Sequence, residues 1–248
     1  QAVIYDPPSL RVTGRRLILA MFRRLGSRTL FYQLTCNRRG YYQIGPLVLE
    51  TGDLEGAVVE AAGGKPLDVL VKEKVTGPLG MTDTAFFQPA SKQARFAAGK
   101  AAGATPGLYD YTTVSPMLSA GGGLSSTTED YLRFALMLAG NGTYRGVRIL
   151  KPATLARMRQ DETTPEMRRA GLFFPGPGMG FGLGFSLVTD DKVLRPVDGT
   201  FSWWGIAGTE FWVDPKHDVV VLFMVQAPQL AMEYQRRNRA WVYDALVR

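Results

Sequence analysis

The sequence predicts an α+β protein, an antiparallel sheet flanked by helices, and three observations carry that expectation. Residues 201–225 read FSWWGIAGTEFWVDPKHDVVVLFMV, two apolar, aromatic-rich runs around Asp214-Pro215-Lys216-His217-Asp218. Apolar runs joined by turn formers predict a β-hairpin with buried faces. Leu67, Leu70, Val71 and Val75, and again Tyr131, Phe134, Ala135 and Leu138, recur at helical spacing. A last helix, from about Gln229, places Leu230, Tyr234, Trp241, Val242, Ala245 and Leu246 on one side.

Taken along the chain, residues 30–36 and 41–50 are rich in β-branched and aromatic residues around Asn37-Arg38-Arg39-Gly40, which predicts a first hairpin. Gly63-Gly64-Lys65-Pro66 breaks two helices, with Pro66 in the first turn of the second. That second helix stops at Gly77-Pro78. Ser126-Thr127-Thr128-Glu129 reads as a capping box with Ser126 as the cap, and its helix runs to Gly140-Asn141-Gly142. The alternating glycines from Gly176 to Gly184 read as a loop entering a strand. Gly205 and Gly208 interrupt the first run of the aromatic hairpin, where a glycine marks close approach of a ligand or another backbone.

Composition excludes several classes. At 46% hydrophobic and 21% charged residues, the chain can bury a core. Its 248 residues suit one large domain or two small ones. A single cysteine, Cys36, forbids an intramolecular disulfide or a cysteine-rich metal site, and in a predicted strand it reads as buried and inert. The net charge of +7 is dispersed. Arg15-Arg16 and Arg23-Arg24 come without a nucleic-acid motif, so they read as a solvated face and no nucleic-acid partner is expected. No apolar run reaches bilayer length, so no transmembrane segment is expected.

Most catalytic patterns fail. The only histidine, His217, has Asp214 and Asp218 nearby but sits in a hairpin turn, away from any recognisable serine nucleophile. No Gly-x-Ser-x-Gly elbow occurs. One His and one Cys leave zinc almost no suitable ligands, and neither a metal nor a cofactor is expected. Gly63-Gly64-Lys65 lacks the first glycine of a phosphate loop and is followed by proline instead of Ser or Thr. Tyr109 and Tyr111 are candidates to line a pocket or act as a base, against the alternative of loop tyrosines covering a core.

Trp203-Trp204-Gly205-Ile206-Ala207-Gly208-Thr209, followed by Phe211-Trp212-Val213-Asp214-Pro215, resembles the third motif region of the serine β-lactamase-like family. That family includes class C β-lactamases, penicillin-binding proteins and family VIII esterases. Three further blocks resemble it in the same order: residues 57–67 leading into 77–84, residues 118–127, and residues 180–185. Trp203-Trp204-Gly205 stands where penicillin-recognising members carry Lys-Thr-Gly and the esterase branch carries Trp-x-Gly. The resemblance implies a β-lactamase/transpeptidase-like fold and acyl transfer to serine, followed by hydrolysis of an ester, amide or β-lactam. It assigns Trp203, Trp204 and Gly205 to the substrate strand and the Ile206 N–H to an oxyanion donor. Trp203 in place of lysine favours a small-molecule ester over a carboxylate-bearing penicillin.

The family's nucleophile motif is missing. One helical turn in Ser-x-x-Lys sets the hydroxyl beside an amine that can take its proton. No lysine here has a serine three residues before it, and neither Tyr-x-Asn nor Ser-x-Asn occurs. Thr189-Asp190-Asp191-Lys192 offers only a threonine in a charged turn. No catalytic residue is identified, and the chain is expected to be an incomplete, inactive member. Ser119, Ser125 and Ser202 are the serines to test for an unrecognised nucleophile.

Residues 1–55 differ in composition, with eight Arg and no Lys. Arg39-Gly40-Tyr41-Tyr42-Gln43-Ile44-Gly45-Pro46 and the residues to Asp53 resemble a motif of the DUF58 family, bacterial proteins that are usually membrane-anchored. The expected organisation is therefore a DUF58-like β-rich fragment, 1–55, abutting a β-lactamase-like portion, 56–248. A fusion of two fragments explains the missing linker, with a single domain diverged at its front as the alternative. A non-catalytic ligand-binding derivative is the alternative function. The resemblances point to a bacterial protein and leave cytoplasm and periplasm both open.

Overall fold

The computed structural model describes residues 10–13, 33–36, 59–60, 62–97, 111–115, 118–169, 178–190 and 199–246. The chain divides into two compact units, Gln1–Gly52 and Asp53–Arg248. In the first, β1 (Leu10–Thr13) pairs antiparallel with β2 (Gln33–Cys36), with Leu10 opposite Cys36. The expected hairpin turn at residues 37–40 and its second strand lie outside the described residues. The partner seen for β2 is a four-residue run whose brevity gave no alternation to read.

The second unit begins with α1 (Leu67–Val71), capped by Pro66, which stands just outside the first turn where the sequence placed it. The helix then widens into a π-helical turn over Lys72–Thr76, and the Gly77 N–H donates to Lys72 O at 2.8 Å. A Cβ on Gly77 would sit 2.6 Å from that oxygen, so only glycine closes the turn. The short α2 (Ala90–Gln93) follows. In α3 (Thr128–Ala139) the cap is Thr127, whose hydroxyl accepts from the Asp130 N–H at 3.2 Å. This corrects the expected cap at Ser126. Its hydroxyl is engaged by Thr84 Oγ1 at 2.7 Å instead, and Asp130 accepts from the Asp83 N–H and the Thr84 hydroxyl. Tertiary bonds from the 82–84 loop moved the cap by one residue.

Beyond α3, β3 (Thr143–Tyr144) and β4 (Val147–Arg148) form a two-residue hairpin. Arg145 and Gly146 both have positive φ, the requirement of a type I′ turn. Helices α4 (Pro152–Met158) and α5 (Pro165–Arg169) lead to the sheet. Its strands are β5 (Met179–Phe181), β6 (Ser186–Val188), β7 (Phe201–Trp204), β8 (Glu210–Asp214) and β9 (Val219–Phe223). They pair antiparallel in chain order. The first aromatic run is thus two strands, not one. Gly205 and Gly208, read as interruptions of a strand, belong to the turn that divides it. Helix α6 (Ala231–Leu246) follows a 3-10 turn at Pro228–Leu230.

Alternation of side chains across strands gives the sheet two different faces. Phe185, Leu187, Phe201, Phe211 and Val213 pack with Ala135 and Leu138 of α3 in the apolar core. Each fully buried large side chain there contributes roughly 1.5–3 kcal/mol. The opposite face holds Ser186, Ser202, Glu210, Trp212 and Asp214, all buried. Helix α6 answers that polar face with Arg239 and Tyr243, leaving Trp241 and Leu246 exposed. The apolar stripe expected through Trp241 and Leu246 is therefore overturned, because the sheet layer it would meet is polar. Among the described residues no helix is long and apolar enough to cross a membrane.

Candidate functional site

Strand β7 ends on Trp203 and Trp204, and the chain then turns back within five residues. The Gly205 N–H donates to Thr209 O at 2.9 Å, and the Gly208 N–H donates to Gly205 O at 3.0 Å. Gly208 has φ +93°, and a Cβ there would lie 3.2 Å from Ala231 Cα at the start of α6. The turn is also held by the Ala227 N–H, which donates to Ala207 O at 2.8 Å. Ile206 stands at its tip, 58% exposed, and among the described residues its N–H has no acceptor.

The two indoles lie with ring centres 4.5 Å apart, and Phe181 meets Trp203 edge-on at 5.1 Å. Strand β6 begins only at Ser186, opposite Ser202, so the β5 side chain can reach past it to β7. Phe181 escaped notice in the sequence, where the glycine-rich stretch reads as a loop entering a strand and no register places it beside Trp203. Asp161 fixes this corner. Its Oδ1 accepts from the Phe181 N–H at 3.1 Å, and the Glu162 N–H donates to Phe181 O at 2.8 Å. The result is an aromatic surface next to an amide N–H that has no acceptor among the described residues.

Among the described residues none of the candidate serines has a base bonded to it. Ser202 is sealed between sheet and α6, bonded to Ser186 Oγ at 2.9 Å and to Arg239 Nη2 at 3.1 Å. Ser125 donates to Ala85 O and accepts from Gln88, tying the 85–88 segment to the entrance of α3. Ser119 is half-buried, without a hydrogen-bond partner among the described residues. Among the described residues no lysine or histidine hydrogen-bonds Ser119, Ser125 or Ser202. Tyr109 lies outside the described residues. The Tyr111 ring packs on Phe96 at 5.5 Å, and its carbonyl accepts from the Gln88 N–H.

His217 does have an orienting carboxylate. Its Nδ1 lies 2.8 Å from Asp214 Oδ2, which also accepts from the Tyr243 hydroxyl at 2.8 Å. Asp214 Oδ1 accepts the Lys216 and His217 N–H groups, so this buried acid closes the β8–β9 turn. Burial works to raise the Asp214 carboxyl, yet the bonds from His217 and Tyr243 outweigh it and hold the acid below its ordinary range. The arrangement is half of a triad in form, with no serine against the imidazole among the described residues. Groups of three or more His, Cys, Asp and Glu placed for a metal are absent among the described residues.

The antiparallel sheet backed by α6 and faced by α3 is the layered arrangement of a β-lactamase/transpeptidase-like fold. The β-lactamase family model matches residues 49–245, and the chain belongs to that family. It is 40% identical over 196 residues to Protein Rv1367c of Mycobacterium tuberculosis, a match covering 73% of this chain and 49% of that one. Esterase EstB of Burkholderia gladioli is 29% identical over 199 residues, covering 69% of this chain and 47% of its own. Two solved structures share the fold. EstCE1, described as a hydrolase with promiscuous acyltransferase activity, superposes with TM-score 0.56 at 23% identity, over 71% of this chain and 50% of its own. Simvastatin synthase (LovD) of Aspergillus terreus gives 0.56 at 24%, over 71% and 48%. The chain spans about half the length of the curated relatives it matches.

Proposed function

We propose that this chain carries the substrate strand of an acyl-serine hydrolase for small-molecule esters, and that by itself it performs no turnover. The observation that carries the reading is the end of β7, where paired indoles stand beside an amide with no acceptor among the described residues. In this reading Trp203, Trp204 and Gly205 line the acyl site, and the Ile206 N–H stabilises the oxyanion. One such donor contributes about 3 kcal/mol to a transition state, provided a nucleophile is aligned with it. Trp203, standing where a lysine would bind a carboxylate, supports an ester substrate. The name of Esterase EstB agrees with that class.

The lack of turnover follows from the missing Ser-x-x-Lys and Tyr-x-Asn motifs, and Ser119, Ser125 and Ser202 having no base bonded to them among the described residues supports it. The DUF58-like segment is then confined to the residues ahead of the family match, which begins at residue 49, and takes no part in this chemistry.

Intact mass after incubation with a fluorophosphonate and, separately, a penicillin tests the proposal. The expected result on folded protein is no adduct and no hydrolysis of p-nitrophenyl butyrate. A stoichiometric adduct mapped to one serine would overturn it. Butyrate-ester binding without hydrolysis, lost in Trp203→Ala, would establish the groove as a ligand site.

A further inference from the structure

The two edges of the five-stranded sheet differ. At the β5 edge the Phe181 N–H donates to Asp161 Oδ1 and Phe181 O accepts from the Glu162 N–H, so the 161–162 segment closes it. At the other edge β9 is the last strand, and its outward backbone groups have no partner among the described residues. Natural sheets guard an open edge with lysine, proline, a bulge or an inward-pointing charge. Strand β9 has none of these. It reads Val-Val-Val-Leu-Phe, pairs with β8 without a break in register, and begins a stretch, residues 219–232, that carries no charge.

Both flanks of this edge are apolar. Val219, Val221 and Phe223 stand opposite Asp214, Trp212 and Glu210, so they share the α6 side of the sheet. All three are only partly buried, and Phe223 meets Tyr234 of α6 with ring centres 5.5 Å apart. Trp241 comes two turns after Tyr234, on the same flank and about 10 Å further along the helix. Tyr243 bonds Asp214, opposite Val219, so Trp241 stands toward the Val219 end of the strand, 60% exposed. On the core side Ala139 lines the same cleft as Val219 and Val220. Leu136 and the exposed Leu132 continue its stripe along α3.

We propose that the β9 edge is a dimer interface, pairing antiparallel with β9 of a second copy about a two-fold axis at Val221. That register sets Val219 opposite Phe223 of the second copy and brings Trp241 toward its Phe223–Tyr234 pair. The aromatic flank is thus its own complement, as an isologous contact requires. Like charges are nowhere opposed along the ladder, since even Asp218 meets Met224 of the second copy. Backbone pairing of so short a strand is marginal alone, and the flanking apolar side chains supply the burial it needs.

Sedimentation velocity of the full chain over a wide concentration range tests this, with hydrogen exchange of the β9 amides read at both ends of that range. A reversible dimer is expected, with slower β9 exchange at the higher concentration. Val221→Lys sets two lysines face to face at the axis and should weaken dimerisation at least tenfold. Trp241→Glu, at an exposed position, should do the same, and it decides if Val221→Lys does not fold. A monomer throughout, β9 exchange independent of concentration, or wild-type dimerisation in Trp241→Glu would overturn the proposal.

Discussion

Arg239 reaches from α6 to Glu210 of β8, its Nε donating to Oε1 at 2.8 Å and its Nη2 standing 2.7 Å from the same oxygen. Glu210 is 2% exposed, and burial raises its carboxyl pKa against the opposing pull of Arg239. The same guanidinium bonds Ser202 and lies 5.4 Å from the Trp212 ring centre. One side chain therefore joins the helix to two strands.

That pair should show the asymmetry of buried ions. Glu210→Leu or Arg239→Leu alone is expected to cost about 3–5 kcal/mol, because each strands the other charge. The double substitution should recover most of the loss, since it also removes the desolvation cost of both ions. Urea unfolding of the four proteins measures this. Additive losses would mean that the pair is not coupled.

Asp214 makes stability depend on acid. Its folded pKa lies below the unfolded value, so its contribution is present above the ordinary carboxylate range and is lost as pH falls through the folded value. Asp214→Asn should cost about 1–3 kcal/mol at pH 7, through the bonds to His217 and Tyr243. The gap between wild type and variant should shrink below about pH 4. Thermal unfolding from pH 7 to pH 3 reads it, and a constant gap would contradict the network.

Thr127→Ala should cost about 1 kcal/mol, the usual value of an N-cap hydroxyl. Ser126→Ala should act instead through Thr84, so a Ser126→Ala/Thr84→Ala cycle should show a coupling of about 1 kcal/mol. Chemical denaturation separates the two roles. Full additivity in that cycle would deny the Ser126–Thr84 bond.

Gly208 and Gly64 provide a matched comparison. Both have positive φ, but a Cβ on Gly64 meets nothing within 4 Å, whereas one on Gly208 meets Ala231 Cα and Val225 Cγ1. Gly64→Ala should cost about 1–2 kcal/mol for the left-handed backbone alone. Gly208→Ala should cost more, and should shift the Trp203 and Trp204 fluorescence as the Ile206 turn moves. Equal melting temperatures would show that α6 does not press on that turn.

Much of the fold was legible because burial and turns leave local marks. The α3 stripe of Tyr131, Phe134, Ala135 and Leu138 announced a helix against an apolar layer, and it packs on Phe211. The cluster at 214–218 announced the β8–β9 turn. The end of β7 was visible only through family resemblance, since two adjacent tryptophans have no chemistry that spacing alone reveals. The partners of each polar group were not legible. Phe181 reaches Trp203 across a sheet register, and Tyr243 and Arg239 reach strands 29 residues earlier.

By itself, then, the sequence determined an antiparallel sheet with flanking helices, membership of a serine hydrolase family and the absence of that family's nucleophile motif. Hydrophobic periodicity and short motifs are properties of neighbouring residues, and they survive without coordinates. Only the tertiary structure decided that the first aromatic run is two strands and that α6 meets a polar face. It also placed Ser126 on Thr84 instead of on the helix it precedes. The last two depend on hydrogen bonds between residues far apart in the chain, and the division of the aromatic run on a turn closed by Gly205 and Thr209, all of them paired only in the folded chain.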